Sequence, residues 1–367
     1  MISINNPIQA TWIFTAILIA GLLVSARFKK TKNLFPPALT QELKGLAILA
    51  IVFSHLGYFL TIDHRFLFPL SILAGVGVNL FLFLSGFGLT ASALTKRFSV
   101  GQFYKRNLLK LFTPFWLSLI LFLSLDFFIL KISYSWTFIW HSLIGLFPTA
   151  DLYHDLNSPL WYFTLILLYY LLFPLLFSKK YPWLTAIIFC LVGSGLIDYN
   201  PLWLSNVKNL YGVHFLAFPL GILISWLFTN KTSAKLITNL HQLKMKRWLK
   251  IAGRYLAIAL LLLLIGYTAY YSGVGQKPTI EQNISLITMS AIIILFLMKP
   301  IEFKLLSWFG FCSYEIYLLH WPLLYRYDLF YKYLPAWLAT VLYLVVFFIL
   351  GLGLKKLSEI ILNKKTP

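Results

Sequence analysis

The sequence predicts an all-α fold, a polytopic transmembrane helix bundle of about eleven spans. Composition is the first reason. Hydrophobic residues make up 60% of the chain and charged residues 11%, against roughly 25% charged in an average soluble domain. Length is the second. Eleven apolar segments of about 20 residues use roughly 60% of 367 residues. The third is that the basic residues fall in short clusters between these segments. A mean hydropathy of +0.80 excludes a soluble cytosolic enzyme, a disordered tail and a secreted disulfide scaffold. No length remains for a separate soluble catalytic domain, so any chemistry sits among the helices or in short loops. The net charge of +20 would suggest nucleic acid in a soluble protein. Here membrane topology accounts for it, and no nucleic-acid partner is expected. Cys190 and Cys312 lie in or beside apolar segments and read as small buried hydrophobes.

The spans fall at 10–26, 44–60, 71–94, 111–130, 159–178, 182–198, 211–229, 255–272, 283–298, 313–331 and 336–354. The first has no basic residue before it and is followed by Arg27, Lys29, Lys30 and Lys32. A signal peptide has the reverse order, so this is read as an uncleaved anchor with its N-terminus outside. The chain then divides into the anchor helix and its basic loop (1–40), a membrane core (41–356) and a cytoplasmic tail (357–367). With that orientation, 25 of the 31 Lys and Arg residues face the cytoplasm, as the positive-inside rule requires of a cell-membrane protein. The longest outer loop, 131–158, contains a 136–147 stretch too short to span and suited to the interface. The longest inner loop, 230–254, is basic and reads as an amphipathic surface helix at the lipid.

Polar groups inside the spans are the candidate functional residues, because hydrocarbon penalises them unless they face a cavity or partner. His55 lies eleven residues after Lys44. Eleven helical residues return to within about 20° of the start and rise about 16 Å. Lys44 and His55 therefore share a face, with Lys44 at the cytoplasmic surface and His55 deep in the membrane. An imidazole titrates near neutrality and can serve as a general base; a packing histidine is the competing reading. On the third span, Gly75, Asn79, Leu82 and Gly86 make one stripe that admits another backbone or a ligand. Lys96, Arg97, Lys105, Arg106 and Lys110 form a cytoplasmic basic cluster, suited to anionic lipid or to cofactor phosphates.

Ser313, Tyr317 and His320 share a stripe on the tenth span, and Glu315 points elsewhere. Pro322 removes a helix bond and frees the Leu318 carbonyl. Asn157-Ser158-Pro159 reads as a cap for the fifth span. Trp161, Tyr162, Tyr169 and Tyr170 then make an aromatic wall. His64, His141, His154, His214 and His241 fall in loops or at span ends. No metal constellation, nucleophile elbow or P-loop is present.

Five motifs occur in order: Lys44-x10-His55, GVNLFLFLSGF at 77–87, FYKRNLLKLFTPFW at 103–116, LWYFTLILLYYLLFP at 160–174 and SYEIYLLHWP at 313–322. Together they resemble the integral-membrane acyltransferases of acyltransferase family 3. The resemblance implies a ten-helix core formed by spans 2–11. It also implies acetyl transfer from acetyl-CoA to a hydroxyl of an extracytoplasmic or lipid-linked carbohydrate, as in cell-wall, capsule or exopolysaccharide modification. Acyl-CoA would be a co-substrate, with no permanently bound cofactor. His55 matches the family's essential His, Lys44 its Arg/Lys partner and Arg106 the basic pair before the next core helix. Lys105 and Lys110 complete the donor-binding set, and Asn79, Ser85, Trp161, Glu315, Tyr317 and His320 supply supporting polar groups. The chain departs from the family pattern where Lys44 and Lys110 replace a common Arg, where Asn79 replaces a frequent Asp, and where no Glu follows Trp161. Direct transfer and an acyl-histidine intermediate are both open at this level.

The competing class is a carrier or lipid-linked glycan flippase without covalent chemistry. It explains the helices and kinks equally well but not the Lys44–His55 geometry beside a basic face. A glycan polymerase or glycosyltransferase is disfavoured by the few outer carboxylates and the modest 131–158 loop.

Overall fold

Among the described residues of the computed structural model, ten helices are long and apolar enough to cross a membrane. The structure describes residues 1–29, 35–96, 99–152, 154–230, 247–272 and 278–363. The elements in order are α1 (Pro7–Val24), β1 (Ala26–Phe28), α2 (Pro37–Ser54), α3 (Ala74–Thr95), α4 (Val100–Leu125), α5 (Trp136–Ile144), α6 (Trp161–Leu176), α7 (Pro182–Tyr199), α8 (Lys208–His214) and α9 (Ala217–Thr229). They continue with α10 (Arg247–Tyr271), α11 (Pro278–Met298), β2 (Ile301–Phe303), α12 (Lys304–Phe311), α13 (Ser313–Tyr325) and α14 (Ala336–Asn363).

The helix expected over 313–331 is the exception in length. Helix α13 has 13 residues, about 20 Å at 1.5 Å per residue, and the chain leaves the helix after Tyr325. The eight-residue α12 precedes it across Cys312, so the crossing is made in two pieces. Helix α14 continues past the expected span end to Asn363. The 136–147 stretch forms the nine-residue α5, with Trp136 and Trp140 exposed. Its start is capped by Ser135 Oγ, which accepts from the Phe138 amide at 3.2 Å. Most of the expected basic surface helix, and His241 and Arg97, lie outside the described residues.

Helix α2 is the centre of the bundle. Twelve of its 18 residues are buried, so it reads apolar on nearly all sides, as a surrounded helix must. Glycines bring its neighbours to backbone contact. A Cβ on Gly45 would meet Leu306 O at 1.9 Å, one on Gly310 would meet Gln41 O at 1.8 Å, and one on Gly77 would meet Ala47 O at 2.7 Å. On α3, close helix packing falls at Gly77 and, within the stripe, at Gly86, the latter against Phe218 O.

Two buried ion pairs tie the ends. Glu42 Oε1 accepts from Lys299 Nζ at 2.5 Å and from the Phe303 amide at 2.6 Å, joining α2 to β2. Strand β2 pairs antiparallel with β1, Arg27 opposite Glu302. This places the segment after α1 beside the segment after α11 at one end. At the other end Arg326 Nη1 donates to Asp126 Oδ2 at 2.6 Å, and Tyr327 and Tyr134 hydroxyls donate to the same carboxyl. Ile2 pairs with Thr61 there, so the N-terminus lies at the end where α2 finishes.

Candidate active site

The last α2 turn widens at His55, where residues His55–Leu60 form a π-helical turn; such turns are rare and recur at functional sites. The turn presents the His55 ring to α13. There Pro322 has no amide to give to the Leu318 carbonyl. Asn157 Nδ2 supplies the missing donor at 3.0 Å. The side chain expected to cap the helix at 158 makes no cap bond, because it satisfies this freed carbonyl instead. Tyr317 Oη donates to Pro159 O at 2.7 Å and fixes α13 against the start of α6.

His320 is fully buried behind His55. Its Nε2 lies 2.7 Å from His55 Nδ1, and the two rings are parallel within 4°. Its Nδ1 lies 2.8 Å from Tyr317 O and 3.2 Å from Ile316 O. A carbonyl only accepts, so His320 Nδ1 carries the proton and its Nε2 is the acceptor. His55 Nδ1–H must then donate, which leaves the lone pair on His55 Nε2. The edge of Trp321 closes the ring's remaining side at a centroid distance of 4.9 Å. A proton taken at His55 Nε2 would create a cation already bonded through Nδ1 to His320. His320 is thus a direct partner of His55 rather than a distant support.

His55 borders a cavity of about 440 Å³. Its other walls include Gly75, Phe81, Trp161, Tyr162, His214, Glu281 and Tyr317, and it extends to Ala150 and Leu152 in the segment between α5 and α6. Phe81, Tyr162 and Tyr317 also border a second cavity of about 220 Å³ with Lys44, Ser85, Asn107 and Lys110. Lys110 in turn borders a third, of about 750 Å³, with Lys96, Lys105 and Arg106. No acidic side chain lines this third cavity among the described residues. Three cavities thus stand in series, from a cationic mouth at the end of β1 and β2 to the histidine pair.

Lys44 sits deeper than a surface position, because α2 begins seven residues earlier, at Pro37. Arg106 and Lys105 do not share its cavity; Lys110 links the two groups. Glu315 faces away from His55 and stands 4.0 Å from Lys355 on α14. Asn79 is fully buried on α3 and bonds other partners than His55. Its Oδ1 accepts from His214 Nδ1 at 2.8 Å and its Nδ2 donates to Ser285 Oγ at 2.8 Å. Trp161 stacks on His214, ring planes 19° apart. His214 is the residue that sequence reasoning misplaced. It ends the short helix α8, which looks like a span boundary, yet it is 4% exposed and lines the His55 cavity. Among the described residues no three His, Cys, Asp or Glu side chains gather as a metal site.

Residues 43–355 match the family model described as an acyltransferase domain. The chain belongs to acyltransferase family 3. No curated protein and no solved structure matches it. The matched range contains all three cavities' cationic and histidine residues, and α1 precedes it. This protein is therefore a membrane acyltransferase. Its histidine pair lies inside the bundle, beside a cavity that extends to Ala150 and Leu152.

Proposed function

We propose that the protein transfers an acyl group, acetyl in the first instance, from cytoplasmic acyl-CoA to a hydroxyl of an extracytoplasmic or lipid-linked carbohydrate. The series of cavities from Lys105 and Arg106, through Lys110 and Lys44, to His55 is the observation that carries this reading. Cations at the wide mouth suit the phosphates of the donor. The narrow tyrosine-lined middle suits its uncharged arm. Lys44 and His55 stand about 16 Å apart along α2, the order of that arm's reach. The acceptor enters from the outer side.

In the reaction the acceptor oxygen attacks the thioester carbonyl while His55 Nε2 takes its proton. The C–O bond forms, the C–S bond breaks, and the proton passes to the departing sulfur. His320 holds the His55 tautomer and partners the transient cation, the role an orienting group plays beside any histidine base. A carrier needs no such fixed tautomer.

Donor recognition has a direct test on purified protein. Coenzyme A should raise the melting temperature in detergent, because a ligand that binds only the folded state stabilises it. Pantetheine, which lacks the phosphates, should give little shift at the same concentration. Equal shifts from both, or none from either, would remove the cationic cavity from donor binding.

The same reading sets the orientation, N-terminus outside and C-terminus cytoplasmic. In a chain with Cys190 and Cys312 replaced by Ala, single cysteines at His64 or Thr149 should react with an impermeant thiol reagent in intact cells. Cysteines at Gln242 or Asn363 should react only after lysis. Labelling at Gln242 in intact cells would reverse the topology.

A further inference from the structure

We propose that His214 and Glu281 form a clamp for two adjacent hydroxyls of the acceptor, so that the substrate is a sugar bearing a free vicinal diol. The inference rests on the acyltransfer reading above and specifies its acceptor half.

The imidazole of His214 is held on two sides. Its Nδ1 donates to Asn79 Oδ1 at 2.8 Å, and that amide is itself turned by its 2.8 Å bond to Ser285 Oγ. Trp161 covers one ring face at a centroid distance of 5.6 Å. The network fixes the neutral tautomer with its lone pair on Nε2, a hydrogen-bond acceptor. Gly75 opens the space beside it. A Cβ at Gly75 would stand 3.7 Å from His214 Cε1, 3.7 Å from Ser285 Oγ and 3.9 Å from Glu281 Oε1. The imidazole and the carboxyl thus converge on one small volume of the His55 cavity.

Among the described residues, Glu281 is the one acidic residue lining that cavity, and no Lys or Arg stands within ion-pair distance of it. A carboxyl lining a membrane cavity calls for a hydrogen-bond donor, and a bound ligand can supply one. Two acceptors side by side, an imine nitrogen and a carboxyl oxygen, match two neighbouring O–H donors. Phe81, Val78 and the ring of Tyr162 add apolar wall and suit the C–H face of a sugar ring. The same volume contains His55, so a diol held by His214 and Glu281 brings a hydroxyl of that ring within the base's cavity.

The test uses radiolabelled acetyl-CoA and, as acceptor, the membrane glycan fraction from cells lacking this protein. Glu281→Gln keeps the size of the carboxyl and loses its charge; Gly75→Val puts side-chain atoms into the shared volume and leaves both polar residues unsubstituted. Both should raise the glycan concentration needed for half-maximal transfer by about tenfold, the scale of one charge-assisted hydrogen bond. The coenzyme A melting shift should stay at the wild-type value in both. Periodate cleaves vicinal diols, so a glycan fraction oxidised beforehand should lose most of its acceptance by the wild-type protein. Wild-type half-saturation in both variants, or undiminished acceptance after periodate, would overturn the clamp. A wild-type protein that coenzyme A does not stabilise and that transfers no label would instead overturn the acyltransfer reading, and the clamp with it.

Discussion

His55→Gln slows acyl transfer by about 10²–10⁴-fold, the usual contribution of a positioned general base, and leaves insertion and coenzyme A affinity in place. Gln keeps size and one hydrogen-bonding edge but takes up no proton near neutral pH. The structure makes this substitution a clean one. His55 Nδ1 bonds His320 Nε2 at 2.7 Å, and a Gln amide donor can keep that acceptor satisfied. A histidine conserving only packing would tolerate Gln with little loss of rate. His320→Gln separates the two rings' roles. It removes the Nδ1–H bond to Tyr317 O and the acceptor that sets the His55 tautomer, so the rate should fall, but less than in His55→Gln. Turnover measured per inserted molecule checks both. Wild-type turnover in His55→Gln would remove His55 as the general base.

Lys44→Glu weakens coenzyme A binding by about 10–100-fold, the range for losing a hydrogen bond to a charged group, with like-charge repulsion added. The residue is half-buried and borders the narrow cavity together with Lys110, where water screens it less than at the surface. Arg106→Glu should act in the same direction and more weakly, because Arg106 is exposed at the wide mouth. Lys44→Arg should bind nearly as well as the wild type, since it retains the charge and adds a planar fork. Calorimetric titration of each purified variant measures this. Unchanged affinity in both Glu variants would return these cations to topology and lipid contact.

The bundle was legible because its signals are local. Apolar run length, the basic clusters and the cost of intramembrane charge each act within about 20 residues. The Lys44–His55 face was legible for the same reason, both residues being on one helix. The freed Leu318 carbonyl was also readable from Pro322, although its partner was not; Asn157 is 161 residues away. What periodicity does not give is the neighbour across a helix interface. His320 meets His55 across 265 residues, and His214 meets Asn79 across 135. Glu42 and Lys299 join from 257 residues apart. Each of those side chains carries an ordinary polar signal in sequence. His214 was hidden further by its place at the end of α8, where a polar residue reads as a span boundary. The one pointer to it was Asn79 on the α3 stripe, a buried amide that had to bond something.

The central claim is that this chain carries an acyl group from coenzyme A to a glycan hydroxyl through His55. Membranes from cells with the protein, without it and with His55→Gln are incubated with acetyl-CoA radiolabelled in the acetyl group, and the glycan fraction is then isolated and counted. The account predicts label in the glycan of the wild-type membranes, released by mild alkali as an ester is, and background counts in the other two. Equal label with and without the protein, or wild-type label in the His55→Gln membranes, would contradict it.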